Sequence, residues 1–174
     1  MKSYSFDVES KKMLMKLHIK VRSQWSDVFF QVHEMQDGLY KIFWRKALPE
    51  RNFIDFILLV SEKYFSRKQL TFSEMYSTEE YKEELSKISP VNEISISDEE
   101  KNIILNLCNK GFPDNYDKIS GRDGHSFELY LQGNKKLNLW CFTSESLKPV
   151  ADVINFLVEK ANLDKEMYGI KIRQ

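Results

Sequence analysis

Between Gly124 and Leu163 the hydrophobic pattern changes period once, and that change constrains everything the rest of the chain can do. Phe127, Leu129 and Leu131 alternate with polar residues, Gly133-Asn134 supplies a turn, and Leu137, Leu139 and Cys141 alternate again. From Val150 the spacing lengthens to about 3.6 residues, placing Val150, Val153, Ile154, Leu157 and Ala161 on one side. The pattern predicts a β-hairpin followed by an amphipathic helix. A hairpin and one helix cannot cover each other's apolar faces completely, so further strands must widen the sheet.

The chain upstream supplies them. Residues 3–9 alternate over a short strand. Across Lys12–Arg22, Met13, Met15, Leu17, Ile19 and Val21 point one way, and Lys12, Lys16, His18, Lys20 and Arg22 the other. Val28–Met35 and Leu39–Arg45 flank Asp37-Gly38, a hairpin signal because both residues tolerate positive φ. With only those two residues in the loop, Glu34 would face Lys41. Phe29, His33, Met35, Tyr40, Ile42 and Trp44 would then share a face.

Helices come next. Pro49 suits a first helical turn, and Phe53, Phe56, Ile57, Val60 and Tyr64 keep helical spacing. Ile54, Leu58 and Leu59 widen that stripe, predicting a helix over 50–65 buried on several sides. Ser77-x-x-Glu80 and Ser97-x-x-Glu100 both match a capping box, predicting helices over 78–87 and 98–110, the second ending at Gly111 before Pro113. Residues 168–172 form a brief final strand. Together these elements predict an α+β fold, an antiparallel sheet of about five to seven strands. The helices 50–65 and 147–162 pack on it, with 77–110 as a helical insertion or lobe in one domain, 1–174. Trp25, Trp44 and Trp140 are expected at the core or its edge.

Composition excludes several classes. With 174 residues, 42% hydrophobic and 13% aromatic, the chain can build a real core. The 26 basic and 26 acidic side chains cancel, so no global attraction to nucleic acid or anionic membrane is expected. No apolar run approaches the ~20 residues of a membrane span. No signal peptide is visible. Cys108 and Cys141 make no disulfide framework and read as buried thiols. The expected location is the cytoplasm.

The chemical inventory is thin. His18, His33 and His125 lie on separate elements without a second ligand at metal spacing, and no phosphate-binding glycine loop is present. Asp114, Asp117 and Asp123 crowd one loop without the spacing of a calcium loop. Gly121-Arg122-Asp123-Gly124 has the GXXG form of a backbone clamp, but leads into a strand rather than joining two helices. Asp123, His125 and Glu128 form the one acid–base set worth considering, with Asp123 and His125 within reach of each other, and are the basis of an enzyme alternative resembling a small hydrolase. No catalytic residue, metal or cofactor is assigned.

Charge is more informative. Residues 71–100 hold nine acidic groups against Lys82 and Lys87. Glu79, Glu80, Glu83 and Glu84 on the first helix of that stretch, with Asp98 and Glu99 on the second, form a candidate surface for a basic protein partner. The basic strand 12–22 supports an alternative in nucleic-acid binding.

The run Asp123-Gly-His-Ser-Phe-Glu-Leu-Tyr-Leu, then Trp140-Cys-Phe, then Leu147-Lys-Pro-Val-Ala-Asp-Val-Ile-Asn-Phe-Leu resembles small α+β immunity-type proteins of bacterial toxin delivery systems. The resemblance covers about the last third of the chain. It implies a cytoplasmic, non-catalytic binder that neutralises a cognate toxin. A basic nuclease-like toxin domain would suit the acidic block.

Overall fold

Antiparallel pairing runs through the whole main sheet of the computed structural model, which describes residues 13–23, 26–48, 50–65, 70–113, 124–131 and 135–173. Its strands are β1 (Met13–Arg22), β2 (Val28–Met35), β3 (Tyr40–Lys46), β4 (Asn92–Ser95), β5 (Ser126–Leu131) and β6 (Lys135–Trp140). Their order is β4-β3-β2-β1-β5-β6. A small parallel pair, β7 (Phe142–Thr143) with β8 (Lys171–Ile172), closes the end of the chain onto the strand that follows β6. The helices are α1 (Glu50–Phe65), α2 (Phe72–Tyr76), α3 (Glu79–Ile88), α4 (Asp98–Lys110), α5 (Lys148–Lys160) and α6 (Lys165–Tyr168). The class is α+β, as the periodicities required.

One face of the sheet carries the main core. Leu17, Ile19 and Val21 of β1, Phe30 and Val32 of β2, Ile42 of β3, and Phe127 and Leu129 of β5 are all buried there. Ile104 and Leu107 of α4 pack against them with Val150, Val153, Ile154 and Leu157 of α5. Two helices therefore cover the sheet, but one differs from expectation. The second covering helix is α4, not α1.

Helix α1 instead builds a separate small core with α2 and α3, from Phe53, Phe56, Ile57, Val60, Met75, Tyr81 and Leu85. Its apolar residues span too much of its circumference for so small a unit to cover. Ile54, Leu58 and Leu59 stay 54%, 63% and 57% exposed. The expected insertion over 77–110 accordingly divides. Helix α3 belongs to the small helical unit, while β4 extends the sheet beside β3 and α4 joins the main core.

Two registers also depart from expectation. The β2–β3 loop contains three residues, because Met35 N–H donates to the Leu39 carbonyl at 2.8 Å and Gly38 N–H to the Met35 carbonyl at 3.0 Å. Gly38 takes φ 79°, and Asp37 Oδ1 accepts from Leu39 N–H at 3.1 Å. The extra residue sets His33 opposite Lys41 and Glu34 opposite Tyr40. Glu34 pairs with Lys16 at 2.7 Å, and Lys41 pairs with Glu93. Tyr40, Ile42 and Trp44 thus share a face with Phe30 and Val32 rather than with Phe29 and His33. In β1 a bulge between Met15 and Leu17 breaks the alternation, so Leu14 and Met15 are exposed while Leu17 is buried.

Capping follows the same logic with one shift. Ser97 and Glu100 exchange hydrogen bonds as expected, and Gly111 ends α4 at φ 72°. The N-cap of α3 is Thr78, whose Oγ1 accepts from Tyr81 N–H, because Ser77 is already used to end α2. A capping box absent from the expectations, Thr71 with Glu74, starts α2. Trp44 and Trp140 are half-buried, Cys108 is half-buried and Cys141 is buried. The expected strand 3–9, Lys12, Trp25, Pro49, the loop with Asp114, Asp117, Gly121, Arg122 and Asp123, and the Gly133-Asn134 turn lie outside the described residues.

Candidate protein-recognition face

The six acidic residues singled out by charge lie on two helices, α3 and α4. Glu79, Glu80, Glu83 and Glu84 lie on α3, which ends beside Arg45 and Lys46 at one end of β3. Asp98 and Glu99 open α4 near the other end of β3, where Ile96 N–H reaches the Tyr40 carbonyl. The four residues of β4 lie between, roughly 13 Å of extended chain.

Within α3 the charges are largely compensated. Glu79 pairs with Lys82 at 2.9 Å, and Glu83 with Lys87 at 3.1 Å. Glu84 turns inward and accepts from Tyr64 Oη at 2.6 Å, Lys63 Nζ at 2.9 Å and Lys87 Nζ at 3.0 Å. The Tyr64 hydroxyl first, then the two ammonium groups, hold its carboxyl down at about 2. Glu84 is therefore a strut between α3 and α1, not a free docking charge. Glu80 is exposed and has no ion pair among the described residues. Asp98 and Glu99 are likewise exposed, in the helix turn where the macrodipole favours negative charge.

The helical unit is latched to the sheet at the end of α3. Buried Arg45 donates from Nε to the Ser89 carbonyl at 2.8 Å, and Ser89 Oγ donates to the Lys46 carbonyl at 2.6 Å. A cation at a helix C-terminus is electrostatically favoured there. Leu48 packs against the same small core.

What charge analysis missed is the concentration of exposed apolar side chains on this unit. Besides Ile54, Leu58 and Leu59 of α1, Phe72 of α2 is 66% exposed. Phe72 stacks on Tyr76 at 6.4 Å between ring centroids, and Tyr76 meets Phe53 at 6.4 Å and Tyr81 at 5.1 Å. Tyr81 continues to Phe56 at 5.5 Å. A ladder of rings thus runs from solvent into the small core. The sequence signal was available. The apolar stripe of α1 is wide, while α2 and α3 are too short and polar to cover it.

The other candidate groups are engaged structurally. His125 is buried, its Nε2 bonded to the Gly169 carbonyl and its ring edge-on to Phe127 at 5.3 Å. Burial pushes its pKa below the ordinary histidine value. The imidazole ties β5 to the end of the chain, where Asn155 also accepts from Ile170 N–H at 2.9 Å and donates to its carbonyl at 3.0 Å. On β1, Lys20 pairs with Asp27 at 3.4 Å and Arg22 with Glu128 at 2.5 Å. That basic strip is locally neutralised.

A groove of about 810 Å³ between α4 and α5 is lined by Ile103, Asn106 and Phe156. Its charged groups are paired, Glu100 with Lys160, Asp152 with Lys148 and Glu159 with Lys165. Among the described residues, no three His, Cys, Asp or Glu side chains converge as metal ligands, and no helix is long and apolar enough to cross a membrane. Comparison with protein-family models, with curated proteins and with solved structures returns no match.

Proposed function

We propose that this chain is a non-catalytic protein-recognition module whose working part is the α1–α3 unit. Its most concrete form is an immunity-type inhibitor that neutralises a cognate bacterial toxin in the cytoplasm. One observation supports this above the rest. A helical unit with its own small core presents Ile54, Leu58, Leu59 and Phe72 to water, beside acidic side chains. Exposed large apolar groups gathered on one element are a liability in a monomer and a hot spot in a complex. The rest of the chain acts as a rigid carrier, since a site built on regular elements holds its geometry better than one on loops.

The test is recovery of the chain with its bound partner from the cells that make it, beside a Leu58→Gln variant and after nuclease treatment. A protein that co-purifies with the native chain and is lost with the variant supports recognition. If a neighbouring gene encodes the captured protein, deleting the gene for this chain should make the cells sensitive to it. Recovery of RNA or DNA in place of a protein would remove the reading and favour the basic strand.

A further inference from the structure

We infer that the α1–α3 unit opens and recloses as one cooperative body while the sheet stays paired. The inference goes beyond the recognition reading and needs no partner. It begins with topology. Strands β3 and β4 are antiparallel neighbours, with Ile42 opposite Ile94 and Trp44 opposite Asn92. Neighbouring strands lie about 5 Å apart, and a turn of two residues is enough to join such a pair. Here the connection from Ala47 to Val91 holds three helices instead. The chain leaves the sheet and rejoins it at the same place, so the pairing of β3 with β4 does not require the helices between.

Packing divides along the same line. The small core built on Phe56, Ile57, Val60, Met75 and Leu85 shares no residue with the main core. Helices α1, α2 and α3 pack chiefly on one another, as α4 packs on α5. Glu84 ties α3 to α1 through Tyr64 and Lys63, inside the unit. Losing one helix strips the others of their partners, so the three open together. Ser89, which accepts from Arg45 Nε and donates to the Lys46 carbonyl, anchors the base of the connection and leaves the body of the unit to its own core. Openings of this kind cost least where few apolar groups are buried. A core this small, with Ile54, Leu58 and Leu59 left exposed, is marginal beside the one that α4 and α5 build on the sheet.

The experiment is native-state hydrogen exchange on the whole chain, followed residue by residue by NMR in low urea. The protected amides of α1 and α3 should fall on one urea isotherm, exchanging about tenfold or more faster than the slowest amides of β1 and α5. That isotherm should be shallower than global unfolding, since less surface is exposed. Ile154→Val then tests the independence of the two parts. It trims the main core, and a loss of the usual size quickens global exchange by about two- to twelvefold. The slowest amides of α5 should quicken by that factor. Those of α1 and α3 should not, because the main core stays folded in the opened form. Ile57→Ala should quicken both sets, since it weakens the native state against every opened form.

One isotherm shared by α1, α3 and α5 would overturn the proposal, because the chain would then open only as a whole. Different isotherms for α1 and α3 would overturn it as well, by showing helices that fray singly. So would an equal quickening of α1 and α5 in Ile154→Val.

Discussion

Gly124→Ala probes the joint where β5 begins. Gly124 takes φ +116°, and a Cβ built on it would lie 2.8 Å from Cys141 Sγ and 3.8 Å from the Trp140 ring. Two costs add. Holding an L-residue in that backbone region costs about 1–3 kcal/mol. The sulfur cannot swing away freely because Cys141 is buried, and overpacking of that kind costs about 1–3 kcal/mol. The single variant should therefore lose about 2–6 kcal/mol, measured by urea unfolding followed by circular dichroism. Cys141→Ala removes the sulfur, so the double variant relieves the second cost and leaves the first. Its loss should fall short of the sum of the single losses by about 1–3 kcal/mol. Additivity within about 0.5 kcal/mol would refute the steric part of the argument. A Gly124→Ala protein as stable as the native one would refute both parts.

Three further perturbations separate the roles assigned to the helical unit. Ile57→Ala in the small core should cost about 2–5 kcal/mol, whereas Leu58→Gln one residue on should change stability by no more than about 0.5 kcal/mol; equal losses by urea unfolding would contradict the exposure of Leu58. Glu84 has its pKa depressed from 4.5 to about 2, so its contribution is present above the unfolded value and is lost as pH falls from there toward 2. Thermal melts at pH 6 and pH 3 should show a smaller acid-induced drop for Glu84→Gln than for the native chain. Arg45→Met breaks a charge-assisted hydrogen bond to the end of α3 and should cost about 1.5–3 kcal/mol. Hydrogen exchange should then quicken in α3 while α5 stays protected, and a uniform change would argue against a local latch.

Local signals were legible where local physics decides the outcome. Helix α4 runs over the expected residues because Ser97, Glu100 and Gly111 supply both its ends. The hairpin of β5 and β6 and the buried stripe of α5 follow directly from period two giving way to 3.6. Contacts between distant segments were not legible. Beta-strand β4 is a short edge strand whose existence depends on β3, and nothing nearby in the sequence demands it.

The face of α1 was visible as an apolar surplus, yet spacing alone cannot say how many neighbours will cover a stripe. The candidate site behaved similarly. Counting charge found the glutamates of α3, but pairing across helices decided which were free. Glu84 was withdrawn by Lys63 and Tyr64, some twenty residues earlier. Asp55 and Glu62, outside the acidic block, have no ion pair among the described residues.

The position of β1 in the sheet has a consequence for how the molecule assembles. It pairs with its near neighbour β2 on one side and on the other with β5, which arrives far later in the chain. Local hairpins and helices close quickly, while pairings across long loops come late and slow the overall rate. Until β5 docks, β1 offers a bare row of backbone groups in the middle of what will be the sheet. Such an edge recruits other chains. Lys16, Lys20 and Arg22 stand along that strand, and before their ion pairs form they act as gatekeepers against strand-to-strand aggregation. The basic strip then has a use that ends when folding does.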